Sequence, residues 1–147
     1  MEHLDNTYKV VVNKLELMQE YFGRLDPLLI PSDKEILTDT TALSAIERNF
    51  QLIVDAAIDI NTAIIKKENI QVSDDYQGTF ELISKCSALP HELAFAIAPS
   101  VGLRNALVHV YEKIDPARVI HDIKNNIGQY RQYMKYIYEY IERQKIK

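Results

Sequence analysis

"LSAIERNFQLIVDAAIDINTAII", residues 43–65, decides the fold. Within it Leu43, Ile46, Phe50, Ile53, Ala57, Ile60 and Ile64 recur at alternating steps of three and four. Each residue of an α-helix turns the chain by about 100°, so this spacing holds all seven on one stripe. A strand would alternate with period two instead. The stretch predicts a long amphipathic helix, and its apolar stripe needs other helices to cover it.

The neighbouring sequence repeats the pattern. Upstream, Leu4, Tyr8, Val11, Leu15, Met18, Phe22 and Leu25 predict a helix over about residues 3–25, broken by "DPLLIPSD". Ser32 followed by Glu35 reads as a capping box that opens the helix containing the quoted stretch. Threonines at 38, 40 and 41 weaken its first turns, and a kink is expected there. Downstream, "KKENIQVSDD" ends it in a polar loop. A shorter helix follows over about Tyr76–Ser87, and Pro90 suits the first turn of another that runs to about Lys113. Pro99 and Gly102 predict a kink or break near 98–102. Asp115 and Pro116 form an N-cap and first-turn pair. They open a last helix with Ile120, Ile123, Ile127, Tyr130, Met134, Ile137 and Ile141 on one face. The expected architecture is all-α: an up-and-down bundle of four or five helices, one domain over residues 1–147. The length of the stripes makes a homodimer the expected assembly.

The totals restrict what such a bundle does. Hydrophobic residues are 47% and charged residues 26% of 147, a globular balance. The net charge is −4, so contact with a nucleic acid must come from a local basic cluster and not from the global charge. One cysteine, Cys86, allows no internal disulfide, and "MEHLDNTYKV" carries no signal-peptide pattern; a cytoplasmic location is expected. No apolar run approaches the ~20 residues that span a bilayer. His3, His91, His109 and His121 are scattered, without the spacing of a metal site.

One stretch mixes chemistry-bearing side chains into an apolar helix: "LRNALVHVYEKID", residues 103–115. Arg104 and Tyr111, seven apart, share nearly one helix face, whereas His109 lies roughly 140° from Arg104 on a straight helix. Bringing Arg104 and His109 to one point requires the helix to unwind near its end, or a second copy to supply the partner across a two-fold axis. Arginine offers phosphate a planar, permanently charged fork, and histidine moves protons near neutral pH. Asn105 and Tyr111 add hydrogen-bonding groups. Attack by an RNA 2′-hydroxyl on its own phosphate needs a base, an acid and charge stabilisation, and no metal. The structural reading stands beside this one: Arg104 paired with a carboxylate, His109 packed at a helix end, Tyr111 in the core or an interface.

At these residues the chain resembles the HepT-like toxins of the HEPN superfamily. "RNALVHVY" is similar to their R-N-x-x-V-H-x-Y signature at Arg104, Asn105, Val108, His109 and Tyr111. "EKID", "AIERNFQLIVDAAIDI" and the Pro-led helix before the motif extend the resemblance over most of the chain. It implies a helical-bundle homodimer with a cleft between subunits, acting as a metal-independent endoribonuclease that needs no cofactor. Arg104 would then stabilise the phosphate, His109 act as acid and base, and Asn105 support the site. The implied partner is a minimal nucleotidyltransferase antitoxin that transfers AMP to Tyr111 and so places negative charge in the RNA cleft. The family also contains members with no demonstrated nuclease activity. The alternative is therefore a non-catalytic module that docks a nucleotidyltransferase or a nucleotide.

Other residues carry weaker expectations. Lys66, Lys67, Lys113, Arg118, His121 and Lys124 are candidates for a basic rim around the motif, against an ordinary solvated face. Of the tyrosines at 130, 133, 136, 138 and 140, Tyr130 is expected in the core and the others on the surface or an interface. Glu47 and Arg48 read as surface ion-pair residues. Asp59 is a candidate partner for Arg104.

Overall fold

The computed structural model describes residues 2–71, 75–109 and 114–146, with side chains described for 6–71, 75–109 and 114–145. It is all-helical among those residues: α1 (Glu2–Leu28), α2 (Asp33–Leu37), α3 (Thr40–Lys67), α4 (Gly78–Ser84), α5 (His91–Ile97), α6 (Ser100–Val108) and α7 (Pro116–Ile146). Three long helices carry the frame. Lys14 pairs with Asp59 at 3.0 Å, while Asn6 and Val10 line a cavity with Ala63 and Lys66, so α1 runs antiparallel to α3. Tyr133 reaches Ala57 and Asn61, and Tyr140 reaches Glu68, so α3 and α7 run parallel. Ser100 meets Tyr130, while Leu103 shares a cavity with Asp122 and Asn125, so α6 returns antiparallel to α7. α1, α3, α6 and α7 alternate in direction as an up-and-down bundle, while the short helices α4 and α5 pack on each other between α3 and α6, with Ser84 meeting His91 at 3.4 Å.

The breaks have local causes. Ser32 caps α2 by accepting from the Glu35 N–H at 3.2 Å. The weak stretch at the threonines is a full break: Thr38 turns its hydroxyl onto the Glu35 carbonyl at 2.8 Å, and Asp39 becomes the N-cap of α3, accepting from the Ala42 N–H at 3.1 Å. Pro99 has no N–H to continue a helix and separates α5 from α6. α1 carries through Pro27 to Leu28, three residues beyond its expected end. Asp115 accepts from the Ala117 N–H at 3.1 Å at the start of α7, as its N-cap assignment requires.

The core joins the stripes. Ile46, Phe50, Ile53, Ala57, Ile60 and Ile64 of α3 are fully buried, against Met18 and Leu25 of α1 and Ile120, Ile123 and Ile137 of α7. An aromatic cluster holds the centre: Phe50, Phe80, Tyr130 and Tyr133 meet edge to face at 5.7–6.4 Å between ring centres. The surface expectation for Tyr133 and Tyr140 is corrected here, since both are buried. Each buried hydroxyl has an acceptor: Tyr133 donates to Asn61 Oδ1 at 2.6 Å, and Tyr140 donates to Glu68. Tyr136 is half-buried and Tyr138 exposed. Of the two residues expected to make surface ion pairs, Glu47 is half-buried. Arg48 turns to Gln51 at 3.4 Å, and half-burial of Glu47 pushes its carboxyl upward. No helix among the described residues is long and apolar enough to cross a membrane.

Candidate functional site

α6 presents the motif. Its helix ends at Val108, five residues before the expected end near Lys113. The His109 N–H closes the last turn on the Asn105 carbonyl at 2.9 Å, but its own backbone is extended, with φ −95° and ψ 101°. Unwinding at the helix end, one of the two routes by which Arg104 and His109 can leave their opposed faces, is thus present in the backbone. His109 is exposed. Tyr111 and Lys113 lie outside the described residues.

Arg104 is held on two sides. Its Nε donates to Asp55 Oδ1 of α3 at 2.7 Å, and its Nη1 donates to Asn105 Oδ1 at 3.0 Å. Both are charge-assisted by the guanidinium, and the first, whose acceptor is also ionised, is the stronger. The Arg104 side chain is 21% exposed and that of Asp55 38%. An ion pair this open contributes only about 0–1 kcal/mol to stability. The two bonds leave three guanidinium N–H groups unengaged by the described residues, one on Nη1 and two on Nη2, and such donors suit phosphate oxygens. The structure therefore brings Arg104 and Asn105 together and puts His109 on the open end of the same helix.

Asp55 is the residue that the sequence did not single out. Asp59, the expected partner of Arg104, instead pairs with Lys14 of α1. The two aspartates stand one helical turn apart, and that turn decides whether α6 or α1 is within reach.

The basic rim is only partly realised. Lys66 and Lys67 sit at the C-terminal end of α3, roughly 16–18 Å along the helix from Asp55. Lys67 is occupied there by Gln144 at 2.6 Å and Tyr140 at 3.3 Å. Nearer the motif in sequence, Lys124 pairs with Asp33, Arg118 with Asp122 at 3.7 Å, and His121 contacts Asn125 at 3.2 Å. Beside α6, a cavity of about 230 Å³ is lined by Pro99, Ser100, Leu103, Asp122, Asn125 and Asn126. Among the described residues no group of three or more His, Cys, Asp or Glu is placed to hold a metal ion.

Comparison with known proteins follows the same motif-bearing frame. The family described as "Ribonuclease HepT-like" matches residues 18–137. The chain is 37% identical over 132 residues to tRNA nuclease HepT of Aphanizomenon flos-aquae, covering 90% of each chain. It is 21% identical over 128 residues to mRNA nuclease HepT of Shewanella oneidensis, covering 87% of this chain and 96% of that one. A crystal structure of a toxin–antitoxin with AMP-PNP superposes with a TM-score of 0.81 at 20% identity, over 89% of this chain and 98% of that one. The tri-AMPylated Shewanella oneidensis HEPN toxin in complex with MNT antitoxin superposes at 0.80 and 21% identity, over 88% and 97%. Both solved structures share this chain's fold.

Proposed function

We propose, from the premise that this chain belongs to the HepT-like ribonuclease family, that it is the toxin of a toxin–antitoxin pair and cuts RNA without a metal. The reaction is transfer of the phosphate to the RNA's own 2′-oxygen. The 2′-hydroxyl attacks the adjacent phosphorus, the bond to the 5′-oxygen breaks, and a 2′,3′-cyclic phosphate and a 5′-hydroxyl result. His109 takes the 2′ proton and supplies a proton to the leaving oxygen. Arg104 faces the non-bridging oxygens, where negative charge accumulates. Asn105 supports the site by holding Nη1 of Arg104.

The observation that carries this reading is the orientation of Arg104. Asp55 and Asn105 occupy Nε and one Nη1 proton, and three N–H groups, two of them on Nη2, are left over for phosphate oxygens. Two copies of the chain would line one cleft, the Arg104 and His109 of each facing the same RNA backbone. Val108 and the strongly exposed Phe95, 82% accessible on the preceding helix, support a second chain packing along this stretch. The antitoxin would be a minimal nucleotidyltransferase. It would transfer AMP from ATP to the Tyr111 oxygen with release of pyrophosphate, as the tri-AMPylated Shewanella oneidensis toxin suggests. The added phosphate would compete for Arg104 and repel RNA.

The experiment is cleavage of total RNA by the purified chain in excess EDTA. Cleavage that persists in the chelator, leaves cyclic phosphate ends and disappears in His109→Ala supports the proposal. Cleavage lost in EDTA removes the metal-free mechanism. A chain that binds the nucleotidyltransferase yet never cuts RNA is the non-catalytic module instead.

A further inference from the structure

We infer that Asp55 is the positioning residue of the site: it sets the rotation of the Arg104 guanidinium so that its remaining Nη protons meet the scissile phosphate. The inference rests on the ribonuclease reading of the motif. It concerns a residue 49 positions away in sequence, on a different helix.

An arginine side chain has four rotatable bonds, and a free guanidinium on a helix surface sweeps a wide arc. Arg104 does not have that freedom. Its Nε is fixed at 2.7 Å by a carboxylate that projects from the middle of the longest core-facing helix of the frame's first half. Residues on either side of Asp55 are buried: Val54 is 0% and Ala56 4% exposed. The α3 backbone therefore cannot shift to follow a moving arginine, and the carboxylate is a fixed reference point. Asn105 alone is a weaker guide, because it stands on the same helix as Arg104 and gives a neutral acceptor at 3.0 Å. With Nε and one Nη1 proton occupied from two directions, the guanidinium plane is defined, and both Nη2 protons and one Nη1 proton are left for a phosphate.

The choice of an aspartate has a cost that a purely structural contact would not require. A negative charge beside the one cation of the motif weakens attraction of RNA phosphates. The pair is also too open to serve mainly as a stabilising salt bridge. Orientation is the benefit that outweighs both, because transition-state stabilisation depends on the donor's placement and not on charge alone.

The two effects separate in experiment. Asp55→Ala removes both the acceptor and the charge; Asp55→Asn removes the charge and keeps an Oδ1 acceptor in the same place. Rates are measured on a cleavable RNA, and affinity on the same sequence with 2′-O-methyl groups, which cannot react. The expected result for Asp55→Ala is a kcat lowered roughly 10- to 100-fold, with affinity for the 2′-O-methyl RNA unchanged or tighter. Asp55→Asn is expected to recover most of the rate. An Asp55→Ala chain that cuts RNA at the wild-type rate overturns the inference. So does a chain that loses rate and affinity together with its melting temperature, with no rescue by asparagine. If wild type itself leaves RNA intact, the ribonuclease reading fails and takes the inference with it. If wild type cuts, Arg104→Ala does not, and Asp55→Ala is unaffected, the positioning role alone is wrong.

Discussion

The hydroxyls of Ser100 and Tyr130 lie 2.6 Å apart, both buried, and tie the first turn of the motif helix to the middle of α7. Ser100 also donates to the Ile97 carbonyl at 2.7 Å, so it keeps a partner if Tyr130 loses its hydroxyl. Tyr133 is different. Its hydroxyl serves Asn61 Oδ1, and Asn61 is 0% exposed.

Two isosteric substitutions therefore have unequal costs. Tyr130→Phe should lower stability by about 0.5–1.5 kcal/mol, the worth of one ordinary hydrogen bond. Tyr133→Phe should cost about 1–3 kcal/mol, because it leaves a buried amide oxygen unpaired. Urea unfolding monitored by circular dichroism measures both. Equal costs would mean that Asn61 finds another donor.

The same tyrosines predict an alkaline limit to stability. Burial raises the phenol pKa of Tyr130, Tyr133 and Tyr140 above the ordinary value, and at Tyr140 the hydrogen bond to Glu68 adds to the effect. Above about pH 10 the unfolded chain releases protons that the folded chain retains. The contribution of these groups is thus fully present below pH 10 and declines as pH rises through the folded values. In an absorbance titration, six of the nine tyrosines at most should ionise before the helical signal is lost. Ionisation of all nine in a folded chain would contradict the burial.

Asp39 separates α2 from α3 by capping the longer helix. Asp39→Ala should lower stability by about 0.5–2 kcal/mol, and Asp39→Asn should recover most of it, since asparagine caps as well. Thermal melts of the three chains decide the matter. An alanine chain as stable as wild type would show that the break is set by Thr38 alone.

AMP transfer is tested with the cognate nucleotidyltransferase and ATP. Mass spectrometry should find adenylate on Tyr111, and the modified chain should lose RNA cleavage. Tyr111→Phe should remain an active nuclease that the enzyme and ATP no longer silence. Adenylate on another residue, with silencing intact in Tyr111→Phe, would move the regulatory site.

Much of this fold is legible in the sequence. The three-and-four spacing of Ile46, Phe50, Ile53, Ala57, Ile60 and Ile64 gave α3 and its core face, because burial requires that period. Pro99 and Asp115 marked breaks for reasons that are local to the backbone. The burial of Tyr133 and Tyr140 is not legible in the sequence, because a tyrosine is at home on a surface or in a core, and only the positions of Asn61 and Glu68 decide which. Their spacing from Tyr130, three and ten residues, does fit the buried stripe. Asp55 and Asp59 could not be separated from sequence. Both sit on nearly one side of α3, and the partner each meets depends on the heights at which α1 and α6 cross. The end of α6 at Val108 was also hidden, since the apolar pattern continues through Val110.

The central claim is that two chains build the site together. Wild-type chain is mixed and re-equilibrated with increasing excess of the doubly substituted Arg104→Ala, His109→Ala chain, and RNA cleavage is measured per wild-type chain. The account predicts that cleavage falls toward zero as wild-type chains become paired with inactive ones. Cleavage per wild-type chain that stays constant, while mixed dimers are shown to form, would contradict it.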